Sequence, residues 1–268
     1  MRHLFWIRVV LLLVMSLVVT SSAIAVAPGT VVGGRDVGQL PSPSTDDARV
    51  IPHLLLQNNG VLQPAEATTC TRIGFNHSLA GWTVHAGEWY TDTGYIYTRG
   101  PTPGERVSIS YEMDLTRTDF QARMWRSGCS TCVNGIVIRG NPEPLFSGGA
   151  WDTWYVLYYR TGGQCAVGIA YYYNGRRFAG ALRTWTDCPI NQGDAWNTLR
   201  AVADGDQLSF YVNDQLFWSG QNSANSHGRV GIVMEKSGNS STEGEELRVE
   251  WASLCWPYGA FLPMVTRR

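Results

Sequence analysis

Between Trp151 and Trp185 the chain reads WDTWYVLYYRTGGQCAVGIAYYYNGRRFAGALRTW, three aromatic and apolar runs parted by Gly162-Gly163 and Asn174-Gly175. Gly-Gly and Asn-Gly accept the positive φ angles that a two-residue hairpin turn demands, so the three runs are expected as an antiparallel meander. The same signature recurs downstream. LRAVADGDQLSFYVNDQLFW is expected as three strands turning at Asp204-Gly205 and Asn213-Asp214. Upstream, ERVSISYEMDLT alternates strictly: Val107, Ile109, Tyr111, Met113 and Leu115 share one face, and Ser108, Ser110, Glu112 and Asp114 the other. No 3.6-residue apolar period and no internal repeat interrupts the pattern from Cys70 to Trp256. The expected fold class is all-β, an antiparallel β-sandwich.

Register follows from the turns. A two-residue Gly162-Gly163 loop sets Arg160 opposite Cys165 and Tyr158 opposite Val167; the Asn174-Gly175 loop sets Tyr171 opposite Phe178 and Val167 opposite Leu182. One face then carries Trp154, Val156, Tyr158, Val167, Ile169, Tyr171, Tyr173, Phe178 and Leu182, which reads as core. The other carries Tyr155, Leu157, Tyr159, Tyr172, Arg177, Arg183 and Trp185 above small Ala166, Gly168, Ala170, Ala179 and Ala181. Flat rings and forked guanidinium donors over a low floor suit a ligand, and Tyr155, Tyr159, Tyr172, Arg177, Arg183 and Trp185 are the candidate contact residues. A covering loop or the N-terminal arm would account for the same face without a ligand.

The start of the chain sets the compartment. Arg2 and Arg8 precede the apolar run Val9 to Val19, and SSAIAVA follows, as in a secretory signal peptide cut after Ala25 or Ala27. That run is shorter than a membrane span, although an uncleaved anchor is the alternative. Residues 1–25 are thus expected as the signal peptide, 26–68 as a linker rich in Pro, Gly, Ser and Asp, 69–258 as the sandwich, and 259–268 as a tail. VIPHLLLQN within the linker and FLPMVTRR at the end are apolar exceptions. Six cysteines in an exported chain imply disulfides. The close pair Cys129 and Cys132 suits a local bridge, Cys165 and Cys188 fall on the core face of neighbouring strands, and Cys70 with Cys255 remains by elimination. With a net charge of −1 and no basic stripe, nothing favours nucleic acid or an anionic membrane surface, and no nucleic-acid partner is expected.

Several segments resemble a known family. WYVLYYRTGGQCAVGIAYYYNG, LRTWTDCPINQGDAWNTLRAVADGDQLSFYVNDQLFWSG, GRVGIVMEKSG, GWTVHAGEWYTDTGYIYT and NGIVIRGN together resemble exported bacterial members of the concanavalin A-like lectin/glucanase sandwiches. The nearest are domains of the 3-keto-disaccharide hydrolase and laminin G-like type. The resemblance spans about residues 72 to 254, and Asn213-Asp214 stands where the family usually has Asn-Gly. It implies a jelly roll. FLPMVTRR is similar to the short Leu-Pro tail of some bacterial surface proteins.

Glycosidases on that fold carry three acids at alternating positions of one strand, so that nucleophile and acid both meet the sugar. Here Glu112 and Asp114 match the first two, and Thr116 or Arg117 takes the third place. They are the only catalytic candidates, and a solvated strand face is their simpler reading. Sandwiches of this type often bind calcium, for which Asp204 and Asp206 around Gly205 are the candidates; a plain hairpin turn explains them equally, and no other cofactor is expected. The resemblance implies a bacterial source, in which the sequons at Asn76 and Asn239 would carry little weight. The function expected is non-catalytic carbohydrate binding outside the cell, with a glycan or cell-surface polysaccharide as partner and no membrane span after signal cleavage. Hydrolysis of a di- or oligosaccharide and a structural role in the cell envelope are the alternatives.

Overall fold

The computed structural model describes residues 68–257, apart from 101–103, 129–131, 161 and 237–244. The expected signal peptide, all of the expected linker but Thr68, the 259–268 tail, Cys129 and Asn239 lie outside the described residues. Strands follow one another almost without interruption. The first five are β1 (Thr68–Gly74), β2 (Trp82–Ala86), β3 (Tyr90–Asp92), β4 (Tyr95–Arg99) and β5 (Arg106–Tyr111). Next come β6 (Thr118–Ser127), β7 (Val133–Asn141), β8 (Thr153–Arg160), β9 (Gln164–Tyr173) and β10 (Arg176–Asp187). The last are β11 (Trp196–Asp204), β12 (Gln207–Val212), β13 (Gln215–Gln221), β14 (Arg229–Glu235) and β15 (Glu246–Pro257). A single 3-10 turn, Ser147–Gly149, is the one helical element among the described residues.

The strands form two antiparallel sheets. One runs β13-β12-β11-β6-β15-β4-β3, with β1 paired to the C-terminal half of β15; the other runs β10-β9-β8-β7-β14-β5-β2. Each inner face is apolar because the side-chain period is two. In β6 burial alternates residue by residue, with Phe120, Ala122 and Met124 inward. They meet Ile109, Ile136, Leu157, Val167 and Ile232 of the other sheet in one core. Asn213 and Asp214 both have positive φ (47° and 63°), as a primed hairpin turn requires. At the other turn Asp204 pairs Gln207, so the loop is Gly205 and Asp206, one residue later than the sequence suggests.

Disulfides join Cys70 to Cys255, adjacent partners on β1 and β15, and Cys165 to Cys188. Cys132 is also disulfide-bonded.

One register differs from expectation, and it reverses a strand. The β8–β9 turn leaves three residues, 161–163, between the paired Arg160 and Gln164, with Gly163 at φ 85°. A three-residue loop closed by a left-handed glycine is a common hairpin solution, and a one-residue slip turns every β8 side chain over. Tyr155, Leu157 and Tyr159 therefore enter the core beside Ile169, Val167 and Cys165, while Trp154, Val156 and Tyr158 take the outer face. The β9–β10 turn keeps Tyr171 opposite Phe178, but a bulge then places Arg183, not Leu182, opposite Val167.

Candidate functional site

The outer face of the seven-stranded sheet is filled by its own chain. Trp154 lies opposite Ala170, Val156 opposite Gly168 and Tyr158 opposite Ala166, so the small residues of β9 receive large residues of β8. The connection from β7 to β8, residues 142–152, then lies over β14 and β7. Trp151 is fully buried there, where a Cβ on Gly140 or Gly231 would collide with its indole. Val137, Ala150, Trp151, Trp154, Val156, Ala170 and Val233 make a second, smaller apolar cluster outside the sandwich core.

The six candidate contact residues separate accordingly. Tyr155 and Tyr159 are 0% and 1% exposed in the core, which removes them from any surface site. The Tyr155 hydroxyl donates to Asn222 Oδ1 at 2.7 Å and so positions the segment after β13. Arg177 clasps the covering connection: its Nε donates to Asp152 O at 2.7 Å and a terminal nitrogen to Trp151 O at 2.8 Å, with its guanidinium 4.4 Å from the Phe146 ring centroid. Tyr172 is half exposed, and its hydrogen bond to the Asp152 carboxylate holds the phenol above its ordinary pKa. Trp185 stacks on Tyr158, with Arg160 4.5 Å from its ring. Arg183 sits 4.2 Å from the Phe217 ring and donates to the Phe217 carbonyl, tying β10 to the other sheet.

Beyond the covered region the end of the β9–β10 hairpin stands free. Tyr173 is 62% exposed and Phe178 43% exposed. Phe178 stacks on Tyr171 at 5.7 Å and meets Tyr173 edge-on at 6.2 Å. With the β10 edge, these rings face Gln221, Asn222 and Ser223 across an open cleft of about 710 Å³, which Tyr172 borders from the opposite face of the hairpin. Apolar faces on one wall and amide and hydroxyl groups on the other give a site that can stack on a flat apolar surface and hydrogen-bond its rim.

A second cleft of about 420 Å³ adjoins the first across Ala224. Its lining is polar, from Asp114, Asn141, Thr153, Asn225, Ser226, His227 and Arg229. His227 Nδ1 lies 2.9 Å from Asp114 Oδ1. The wall between the clefts is held from within. Arg139, buried with φ 47°, donates to Asn225 O, Thr116 O and Gly205 O. Asn225 Nδ2 donates to Ala170 O at 2.7 Å. Nearby, His85 Nε2 is 2.8 Å from Ser110 Oγ, and burial, then the charge of Arg229, lowers the imidazole pKa.

Glu112 and Asp114 are not a strand pair. β5 ends at Tyr111, and beyond it Glu112 accepts from the Thr83 hydroxyl at 3.3 Å while Asp114 turns to His227. Asp204 is engaged by Arg117 at 2.6 Å, and among the described residues no group of three or more His, Cys, Asp and Glu is placed to hold a metal. Sequence reasoning found Tyr172 of the first cleft but missed Tyr173 and Phe178 as surface rings and the 221–224 wall. The wall has a signal, the polar run QNSAN that begins at the last residue of β13, but nothing local says what it faces.

No protein-family model matches the chain, and no curated protein is similar to it in sequence. Solved structures are similar in fold. A β-glucanase from Bacillus licheniformis superposes with a TM-score of 0.54 at 10% identity, covering 69% of this chain and 97% of that one. A native glycosidic hydrolase gives 0.53 at 12% identity over 72% and 97% of the two chains. The Crh5 transglycosylase in complex with NAG gives 0.51 at 11% identity over 69% and 83%. These likenesses, with the two stacked antiparallel sheets, identify the fold as the concanavalin A-like jelly-roll sandwich.

Proposed function

We propose that the protein is an exported carbohydrate-binding module that holds a glycan in the cleft between the β9–β10 hairpin and residues 221–224. The observation that carries this reading is the pairing of exposed Tyr173 and Phe178 with Gln221, Asn222 and Ser223 across that cleft. Sugar C–H faces stack on such rings, and ring hydroxyls exchange hydrogen bonds with amides. The disulfides agree with an oxidising, extracellular compartment. The carbohydrate-active neighbours add weight to the ligand class.

Those neighbours also favour a second reading, glycoside hydrolysis. It would draw on Asp114 and His227 in the second cleft. Two carboxylates flanking the bond are the usual requirement, and Asp114 is the only Asp or Glu among the described residues that line either cleft.

The test is a glycan array on the exported chain, with the double variant Tyr173→Ala, Phe178→Ala alongside. Binding of a defined glycan class, lost in the variant while the melting temperature stays within a few degrees, supports the module. Undiminished binding in the variant removes this cleft. Release of reducing sugar from the bound glycan, abolished by Asp114→Asn, would replace binding with catalysis.

A further inference from the structure

The half-buried arginines of the described residues have partners, from Arg123 on Glu250 at 2.6 Å to Arg200 on Asp119 at 2.5 Å and Arg177 on two carbonyls. Arg229 breaks the rule. It starts β14 on the outer face, half-buried in the wall of the second cleft, with no ion pair, side-chain hydrogen bond or ring contact to any described residue. Leaving a partly desolvated guanidinium without an acceptor forgoes the strongest interaction it can make. Asp114, the only carboxylate among the described residues that line the cleft, pairs with His227. Thr153 and Ser226, whose hydroxyls bond to no described residue, line the same cleft.

We propose that the second cleft receives the anionic substituent, a carboxylate or a sulfate, of an acidic sugar, with Arg229 as its counter-charge. This rests on the reading of the first cleft as a glycan site, and it names the class of glycan. A chain lying across Ala224 would stack one unit on the Tyr173 and Phe178 rings and present the next to Arg229. The guanidinium fork matches both carboxylate and sulfate oxygens. His85 has a lowered pKa chiefly through burial; the charge of Arg229 adds to this and outweighs the opposing charge of Glu143, in keeping with a positive group on this side of the cleft.

The test titrates the exported chain at low salt with trigalacturonate, a chondroitin sulfate tetrasaccharide and neutral cellotriose. An acidic probe should bind more tightly than cellotriose; which acidic probe wins separates carboxylate from sulfate. Arg229→Gln should lose at least about tenfold in affinity for it, the scale of a charge-assisted pair. Arg229→Lys should keep part of the affinity, and Asp114→Asn should tighten the acidic probe by removing a like charge. The Lys and Asn variants carry the test if Arg229→Gln does not fold. Failure of both acidic probes to bind, or acidic binding indifferent to Arg229→Gln, overturns the proposal. Cellotriose bound as well as the acids, and lost in Tyr173→Ala, would overturn it while leaving the glycan site standing. An array blank for every glycan would remove the glycan site as well.

Discussion

Tyr159 carries a phenol into the core between the sheets and leaves its hydroxyl without a hydrogen-bond partner. Burial disfavours the phenolate and raises the pKa well above its ordinary value of about 10, with the nearby Arg126 offsetting part of the effect. The sign of the linkage follows. Below pH ~10 the ring is protonated folded or unfolded, and stability is intact; above it the unfolded chain releases a proton that the folded chain keeps, so stability falls until the folded value is passed. Urea unfolding across this range should show that decline, made shallower by Tyr159→Phe. Near neutrality the same variant should be as stable or more so, because an unsatisfied buried hydroxyl costs about 1–3 kcal/mol. Its burial was not legible in sequence: Tyr159 and Tyr158 are the same residue type on adjacent positions, and parity alone decides which enters the core.

At the scale of the element, that parity hung on one turn. Gly162-Gly163 permits a two-residue loop and a three-residue one with Gly163 left-handed, and local chemistry scarcely separates them. What favours the second is tertiary. It puts Trp154, Val156 and Tyr158 over Ala170, Gly168 and Ala166, where the 142–152 connection can cover them. The turn at Asn174-Gly175 has no such ambiguity, and the pairing of Tyr171 with Phe178 follows from sequence directly. The connection itself is a satellite of the sandwich, anchored by one buried indole. Trp151→Ala should cost about 3–5 kcal/mol. In hydrogen exchange, protection should vanish first at Asp152, whose amide donates to Asn141 O, while β6 and β11 keep theirs. Equal loss in all three would show that the connection and the sandwich unfold as one unit.

For the molecule as a whole, the sandwich was legible because strand alternation and turn chemistry repeat along the chain and each needs only neighbouring residues. The clefts were not. The first arises where the β9–β10 hairpin meets residues 221–224, and the second where residues 114, 140–142 and 153 meet residues 224–229, groups far apart in sequence, and Arg139, the side chain that sets the wall between them, reads in sequence only as the end of a strand. The pairing of Cys70 with Cys255 has a mechanical meaning. β1 and β15 are antiparallel, with Thr68 beside Pro257, so tension on the chain from both sides would peel them apart one rung at a time. The third rung is the disulfide, its α-carbons 4.0 Å apart. Load entering at Cys70 leaves at Cys255 through two sulfur atoms, and the sheets between them carry none. Pulled from its flanks under oxidising conditions, the sandwich should extend by no more than its first rungs; with reductant the whole length from Cys70 to Cys255 should become available to the pull. A chain built this way can bear strain on its flanks and keep its clefts in shape.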